Sequence, residues 1–180
     1  MLNPAIRLQN TSLAIKGMTV LAGTAILTLS SYIQVPFFPV PMTMQTLAVT
    51  LVGAVLGWRL GAATVLAWLA AAAAGLPVLA GDHLAGPLAF VGPTAGYLAA
   101  FPLAAALTGV LVAQGWNGKR PLLAFAAMLL GNALCLVLGT AWLAVLTGPE
   151  KAIALGFLPF VAGGVVKSAL GAALVKAFRR

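Results

Sequence analysis

The chain has 180 residues, of which 62% are hydrophobic and only 7% charged, and its mean hydropathy is +1.09. So little polar surface cannot cover a soluble domain of this size, and the composition points to an integral membrane protein. The net charge of +8 does not mark a nucleic-acid binder, because the ten basic residues are dispersed at the ends of apolar segments rather than clustered with stacking aromatics.

In chain order, apolar segments fall at approximately 17–33, 43–57, 60–75, 92–114, 121–147 and 157–176. Ahead of the first, Arg7 and Lys16 flank a polar stretch (Gln9, Asn10, Thr11, Ser12) with no small-residue cleavage site, so this segment is expected to be retained rather than removed as a signal. One helix over 43–80 would be about 57 Å long, against a hydrocarbon core of about 30 Å, so the chain must turn. Gly57-Trp58-Arg59-Leu60-Gly61 supplies a tight polar turn at the right place. The expectation is one all-α domain over 1–180 with six transmembrane helices.

With six spans both termini share a side. That side collects Arg7, Lys16, Arg59, Lys119, Arg120, Lys176, Arg179 and Arg180, while the other carries Lys151 and both acids, Asp82 and Glu150. The bias predicts cytoplasmic termini, with loops 34–42, 76–91 and 148–156 facing outward. Runs of small residues (Ala70 to Ala74, Ala104 to Ala106, Gly163-Gly164) are read as close helix packing, and the two halves share no matching motif that would mark an inverted repeat.

Two short polar stretches interrupt the apolar pattern. The first is Pro39-Val40-Pro41-Met42-Thr43-Met44-Gln45-Thr46-Leu47; the second is Gly92-Pro93-Thr94-Ala95-Gly96-Tyr97-Leu98, preceded by Gly75-Leu76-Pro77-Val78. Gly and Pro shape non-helical backbone while Thr, Gln and Tyr offer hydrogen-bonding groups, which is what a membrane protein needs to hold a small polar molecule. The loop between Gly75 and Thr94 is too apolar for a solvated connector, with Leu84, Leu88, Phe90 and Val91, and is expected to fold down as a lid. Asp82 and His83 within it do not make a metal sphere without a third ligand; a ligand-facing pair and plain loop polarity both remain open.

Lys167 is the only ionisable residue well inside a predicted span. A lysine there costs several kcal/mol unless it faces a cavity or a partner, so it is read as functional. Phe37, Phe38, Tyr32 and Tyr97 could wall a pocket for a flat ring, or belong to an interfacial belt, as Trp58, Trp116 and Trp142 are expected to do. Gln45 and Asn132 are amides within helices, and interhelical hydrogen bonding is the reading for Asn132. Cys135, the single cysteine, excludes an intramolecular disulfide and is read as a buried thiol.

Machinery for energy conversion or covalent catalysis is missing from the pattern. Gly163-Gly164-Val165-Val166-Lys167-Ser168 is not a phosphate loop, because Val166 stands where G-x-x-x-x-G-K-[ST] needs Gly. Two carboxylates in loops make no intramembrane acid–base pair, and charged rings or repeated filter loops of a channel are not seen. A polytopic subunit that binds some other small vitamin, or has only a structural role, is the alternative reading.

Together, Pro39 to Leu47, Gly75 to Val78, Gly92 to Tyr97 and Lys167 resemble the BioY family of biotin-binding substrate-capture components of energy-coupling-factor vitamin transporters. The resemblance runs over essentially the whole chain. It implies capture of biotin from outside and delivery through a module of one transmembrane coupling subunit and two ATPases, in a prokaryotic plasma membrane, with no cofactor and no enzymatic activity. Carried over residue by residue, it puts Lys167, Tyr97, Gln45 and Thr43 at the vitamin, Gly92, Pro93, Thr94 and Gly96 in the backbone around it, and Phe37 at its ring. Docking to the coupling subunit is expected through small residues of the first helix, Ala22, Gly23 and Ala25. The family usually has D-x-x-K in the last helix; here Gly164 takes the place of the aspartate, and Asp82 is the expected replacement. Lys167 can meet the ureido oxygen or the carboxylate of biotin, and the family pattern favours the ureido end.

Overall fold

The computed structural model describes residues 12–36, 38–79 and 86–177. Six helices account for most of them: α1 (Leu13–Tyr32), α2 (Gln45–Leu56), α3 (Trp58–Ala73), α4 (Ala95–Ala113), α5 (Pro121–Thr147) and α6 (Pro149–Ala177). The α1, α4, α5 and α6 helices are long and apolar enough to cross a membrane, and α2 and α3 are shorter apolar helices. Their outer faces stay apolar: Leu29, Leu122, Val145 and Val166 are each more than two-thirds exposed. Such a surface is unsuited to water and suited to lipid.

Helix boundaries follow local chemistry. Ser12 caps α1, its side chain accepting from the Ile15 N–H. Gly57, at φ 81°, ends α2 and starts α3 in a single residue; the expected five-residue polar turn is shorter than that, because Trp58, Arg59 and Leu60 already lie in α3. At the end of α3, Gly75 adopts φ 90° and the N–H groups of Gly75 and Leu76 return to the carbonyls of Ala72 and Ala71, a Schellman stop sealed by Pro77.

Two expectations need correction. Residues 148–156 are not a loop. Gly148, at φ 89°, makes the whole turn, and Pro149, whose ring presets a helical φ, opens α6 immediately. Helix α6 then passes through a π-helical turn, Ile153–Phe157, two residues ahead of Pro159, whose missing N–H and bulky ring disturb a regular ladder. The loop 34–42 contains a two-residue antiparallel ribbon, β1 (Gln34–Val35) with β2 (Met42–Thr43), paired Gln34 to Thr43 and Val35 to Met42. The chain is thus α-helical apart from this small clip, which fixes the direction in which α2 starts.

Helix α4 sits at the centre, packed against α2, α3 and α5; α6 lies on α5 and α2, and α1 covers α3 and α2. Trp68 of α3, fully buried, stacks on Phe101 of α4 with centroids 6.2 Å apart. Glycines let the short helices approach backbone to backbone. A Cβ on Gly53 would lie 2.1 Å from the Ala105 carbonyl oxygen, and one on Gly109 would lie 2.5 Å from the Trp58 nitrogen. These are the close small-residue contacts on which helix association in membranes relies.

Gly53→Leu is expected to cost about 3 kcal/mol or more, because backbone rather than a movable side chain occupies the space. Gly17→Ala, with nothing within 4 Å, is expected to be neutral or to stabilise α1 by about 0.5–1 kcal/mol. Thermal unfolding of the detergent-purified variants checks both.

Candidate functional site

The ribbon and the start of α2 hold the first polar motif in a fixed frame. Thr43 Oγ1 accepts from the Gln45 N–H at 3.3 Å and donates to Gln45 Oε1 at 2.9 Å, so one hydroxyl both holds the first N–H of α2 and orients the amide. Gln45 is buried, and its Nε2 has no hydrogen-bond partner among the described residues. Val40 is buried beside it.

The second motif is anchored from α5. Trp142 Nε1 donates to the Gly92 carbonyl at 2.9 Å, and a Cβ on Gly96 would lie 2.2 Å from the Trp142 side chain. The motif therefore packs on Trp142, which the sequence suggested as an interfacial belt residue. Gly92 and Gly96 serve this junction, with Pro93 between them, while Thr94 turns inward. Thr94 Oγ1 is buried with no hydrogen-bond partner among the described residues.

Lys167, 9% exposed, reaches from α6 to the start of α2: Nζ donates to the Thr43 carbonyl at 2.9 Å and to Thr46 Oγ1 at 3.1 Å. It makes no ion pair with any described carboxylate. The stem does not snorkel to an interface but crosses the bundle. These elements close around a cavity of about 60 Å³ whose polar wall is Thr43, Gln45, Thr46, Thr94 and Lys167 and whose apolar wall includes Leu79, Leu98, Phe101 and Phe160. A second cavity of about 180 Å³ lies behind it between α5 and α6, against Asn132, Cys135, Val161 and Gly164. Thr46, Tyr97, Phe160 and Lys167 form the partition, lining both.

Tyr97 stands in that partition with its hydroxyl already engaged. The OH donates to the Gly156 carbonyl at 2.7 Å, and Thr140 Oγ1 reaches the same oxygen at 3.3 Å. Gly156 belongs to the π-helical turn, and a Cβ there would lie 2.7 Å from the Tyr97 oxygen. A Cβ on Gly139 would strike the Tyr97 ring at 2.1 Å. Tyr97 thus lends the cavity a ring face, while its polar end ties α4 to α6. Asn132 bears out its reading as interhelical glue, with Nδ2 donating to Ser168 Oγ at 3.1 Å across α5 and α6. Cys135 is buried and free.

Other predicted residues fall elsewhere. Phe38 is 89% exposed and Tyr32 is half-exposed, so neither walls the cavity; the Tyr32 hydroxyl donates to the Pro77 carbonyl, and Ser31 Oγ donates to the Val78 carbonyl at 3.0 Å. The Gly75-Leu76-Pro77-Val78 motif is thereby strapped to α1, and Leu79 beyond it is buried over the cavity. Phe37 and Asp82 lie outside the described residues. Gly23 is buried against α3, its Cβ position 2.5 Å from Thr64 Cγ2, so of the three docking residues only Ala22 and Ala25 are exposed. Gly164 is not a packing glycine: a Cβ there meets nothing within 4 Å. Sequence reading missed Thr46, Thr140, Gly156 and Phe160; Gly156 ahead of Pro159 was the available signal.

Tyr97→Phe is expected to lower thermal stability by about 1 kcal/mol through the lost bond to Gly156, while changing ligand affinity less than threefold. A large affinity loss at unchanged stability would place the hydroxyl on the ligand instead.

The family model described as the BioY family matches residues 7–180. A protein of Lactococcus lactis subsp. cremoris named biotin transporter BioY2 is 36% identical over 179 residues, covering 94% of each chain. Proteins of Pyrococcus horikoshii (probable biotin transporter BioY, 37% identical over 81% of this chain and 84% of its own) and Rhizobium etli (biotin transporter BioY, 39% identical over 81% of each) are similar in the same way. Among solved structures, the S-component for biotin from an ECF-type ABC transporter superimposes with a TM-score of 0.81 at 26% identity, covering 94% of both chains. The chain belongs to the BioY family, and its fold is that of an ECF-transporter S component.

Proposed function

We propose that this chain captures biotin at the outer side of a prokaryotic plasma membrane and passes it inward as the substrate-binding component of an energy-coupling-factor importer. The observation that carries this reading is that both polar motifs and Lys167, from distant parts of the sequence, meet at one cavity that still has unspent polar groups. Biotin suits that inventory. Its ureido ring needs donors and acceptors, its thiophane ring and valeryl chain need apolar walls, and its carboxylate needs donors or a cation. Gln45 Nε2, Thr94 Oγ1 and the third proton of Lys167 supply the polar side, and Leu79, Leu98, Phe101 and Phe160 the apolar one.

Known small-molecule sites occupy about 300–1,000 Å³, so the 60 Å³ cavity is a closed form, and loading must move the partition, chiefly Phe160 and Lys167, to join it to the chamber behind. Phe37 is assigned to the ring of the ligand and Asp82 to the acceptor role left open at Gly164. With no nucleotide-binding motif, concentrative uptake is assigned to a coupling subunit and two ATPases, which Ala22 and Ala25 on the open face of α1 would meet.

Biotin is expected to bind with a dissociation constant of nanomolar order, about −12 kcal/mol, with no saturable binding of riboflavin or thiamine. Lys167→Met should keep the fold and weaken binding by about 2–4 kcal/mol, roughly 30- to 1,000-fold, measured by titration calorimetry on the reconstituted protein. Unchanged affinity would reduce Lys167 to a packing residue. For orientation, cysteines placed beside Asp82 and Glu150 in a Cys135→Ala background should react with impermeant thiol reagents from outside, and those beside Arg59 and Lys119 should not. The reverse pattern would invert the topology.

A further inference from the structure

Helix α2 turns Gln45 and Thr46 toward the polar cavity and a different face toward α1. Between those two helices, with Leu174 of α6 at one end, lies a groove of about 470 Å³. Its floor is buried Leu47, Ala48 and Val52, and exposed Ile26 and Val55 form its rim, so it opens where the bundle faces lipid. The two hydroxyls that reach it are already spent within α1: Thr19 Oγ1 donates to the Ile15 carbonyl at 2.8 Å and Ser30 Oγ to the Leu27 carbonyl at 2.7 Å. A water there would find almost nothing to bond, so the groove suits hydrocarbon. Its length fits too. Met44 to Leu56 along α2 is about 18 Å at roughly 1.5 Å per residue, comparable with the roughly 15 Å that one leaflet contributes to the hydrocarbon core.

Charge marks one end of the groove. Helix α1 begins where α2 and α6 finish, and there a cation stands within three residues of a groove-lining residue on each strand of chain: Lys16 precedes Thr19, Arg59 follows Leu56 across the Gly57 turn, and Lys176 follows Leu174. Arg59 and Lys176 are exposed, and the Arg59 guanidinium lies 4.8 Å over the ring of Trp58, a residue type that favours the membrane–water boundary. On the orientation expected from the charge bias, this end meets the cytoplasmic leaflet, whose surface carries anionic lipid. An apolar helix could cover the groove but would offer the cations nothing, whereas an acyl chain joined to a phosphate matches both. We propose that the groove is a lipid site: one acyl chain of an anionic phospholipid lies along α1 and α2, and its phosphate sits among Lys16, Arg59 and Lys176. The site is separate from the polar cavity and does not rest on the biotin reading.

The test is native mass spectrometry of the full chain released from nanodiscs that hold equal amounts of phosphatidylglycerol and phosphatidylcholine with identical acyl chains. The wild type is expected to retain one phospholipid, with phosphatidylglycerol favoured about tenfold or more. Lys16→Gln, Arg59→Gln and Lys176→Gln combined should bring that preference to within about twofold while a lipid is still retained. Ile26→Trp with Val55→Trp, which fills the groove from its rim, should cut retention of either lipid by about tenfold. A wild-type protein free of lipid, undiminished retention in the Trp variant, or a preference that survives the Gln variant would each overturn the proposal. Lipid-free dimers that disappear in the Trp variant would give the groove to a second copy and overturn it equally. Phosphatidylglycerol with a photoreactive group in its acyl chain checks the wild type without substitution: crosslinks should map to α1 and α2 around Ile26 and Val55, and crosslinks confined to other helices would contradict the site.

Discussion

The reach of Lys167 across the bundle to the start of α2 is the contact on which the rest of the site depends. A lysine well inside an apolar span costs several kcal/mol when left without partners. Two hydrogen bonds involving a charged donor, each worth about 1.5–3 kcal/mol, offset much of that cost. The bonds also fix geometry, because one acceptor is the Thr43 carbonyl and the Thr43 hydroxyl in turn bonds the Gln45 N–H and orients its amide. One cation therefore sets the position of the last helix, the first loop and the amide together.

The other side of the cavity is built by a different device. Small residues allow helices to close on large side chains: Gly139 and Gly156 enclose Tyr97, and Gly96 seats Trp142. The π-helical turn before Pro159 belongs to the same construction, since its Gly156 carbonyl takes hydrogen bonds from both Tyr97 and Thr140. Such turns recur at functional sites because they redirect side chains without ending the helix. Here Phe160 and Lys167 follow on the same helix and stand between the two cavities. Thr46 and Tyr97 complete that partition.

Much of this was legible in the sequence because membranes make composition informative. The helix count, the turn at Gly57, the two motifs and the exceptional lysine all follow from the cost of polar groups in lipid. What was not legible depends on three-dimensional neighbours. Trp142 reads as an interfacial aromatic, and the chain does not reveal that Gly92 and Gly96 pack on it. Gly23 reads as a docking residue until Thr64 of α3 is found in its path. Gly163 and Gly164 look equivalent in the chain, yet a Cβ on Gly163 meets Met42 Sδ at 3.0 Å while one on Gly164 meets nothing within 4 Å. The loop assigned to 148–156 failed because Gly148 and Pro149 together both turn the chain and start the next helix, where turn composition alone signals only an interruption.

If the cavity joining the two polar motifs to Lys167 is a biotin site, the vitamin should travel with the purified protein. Denaturing the purified protein and assaying the released small molecules by mass spectrometry tests it most directly, without any added ligand. The wild-type chain from biotin-containing cells should release close to one biotin per polypeptide, and Lys167→Met, purified in the same way, should release almost none. A wild-type protein that is consistently free of biotin, or a Lys167→Met protein as fully loaded as the wild type, would contradict the account.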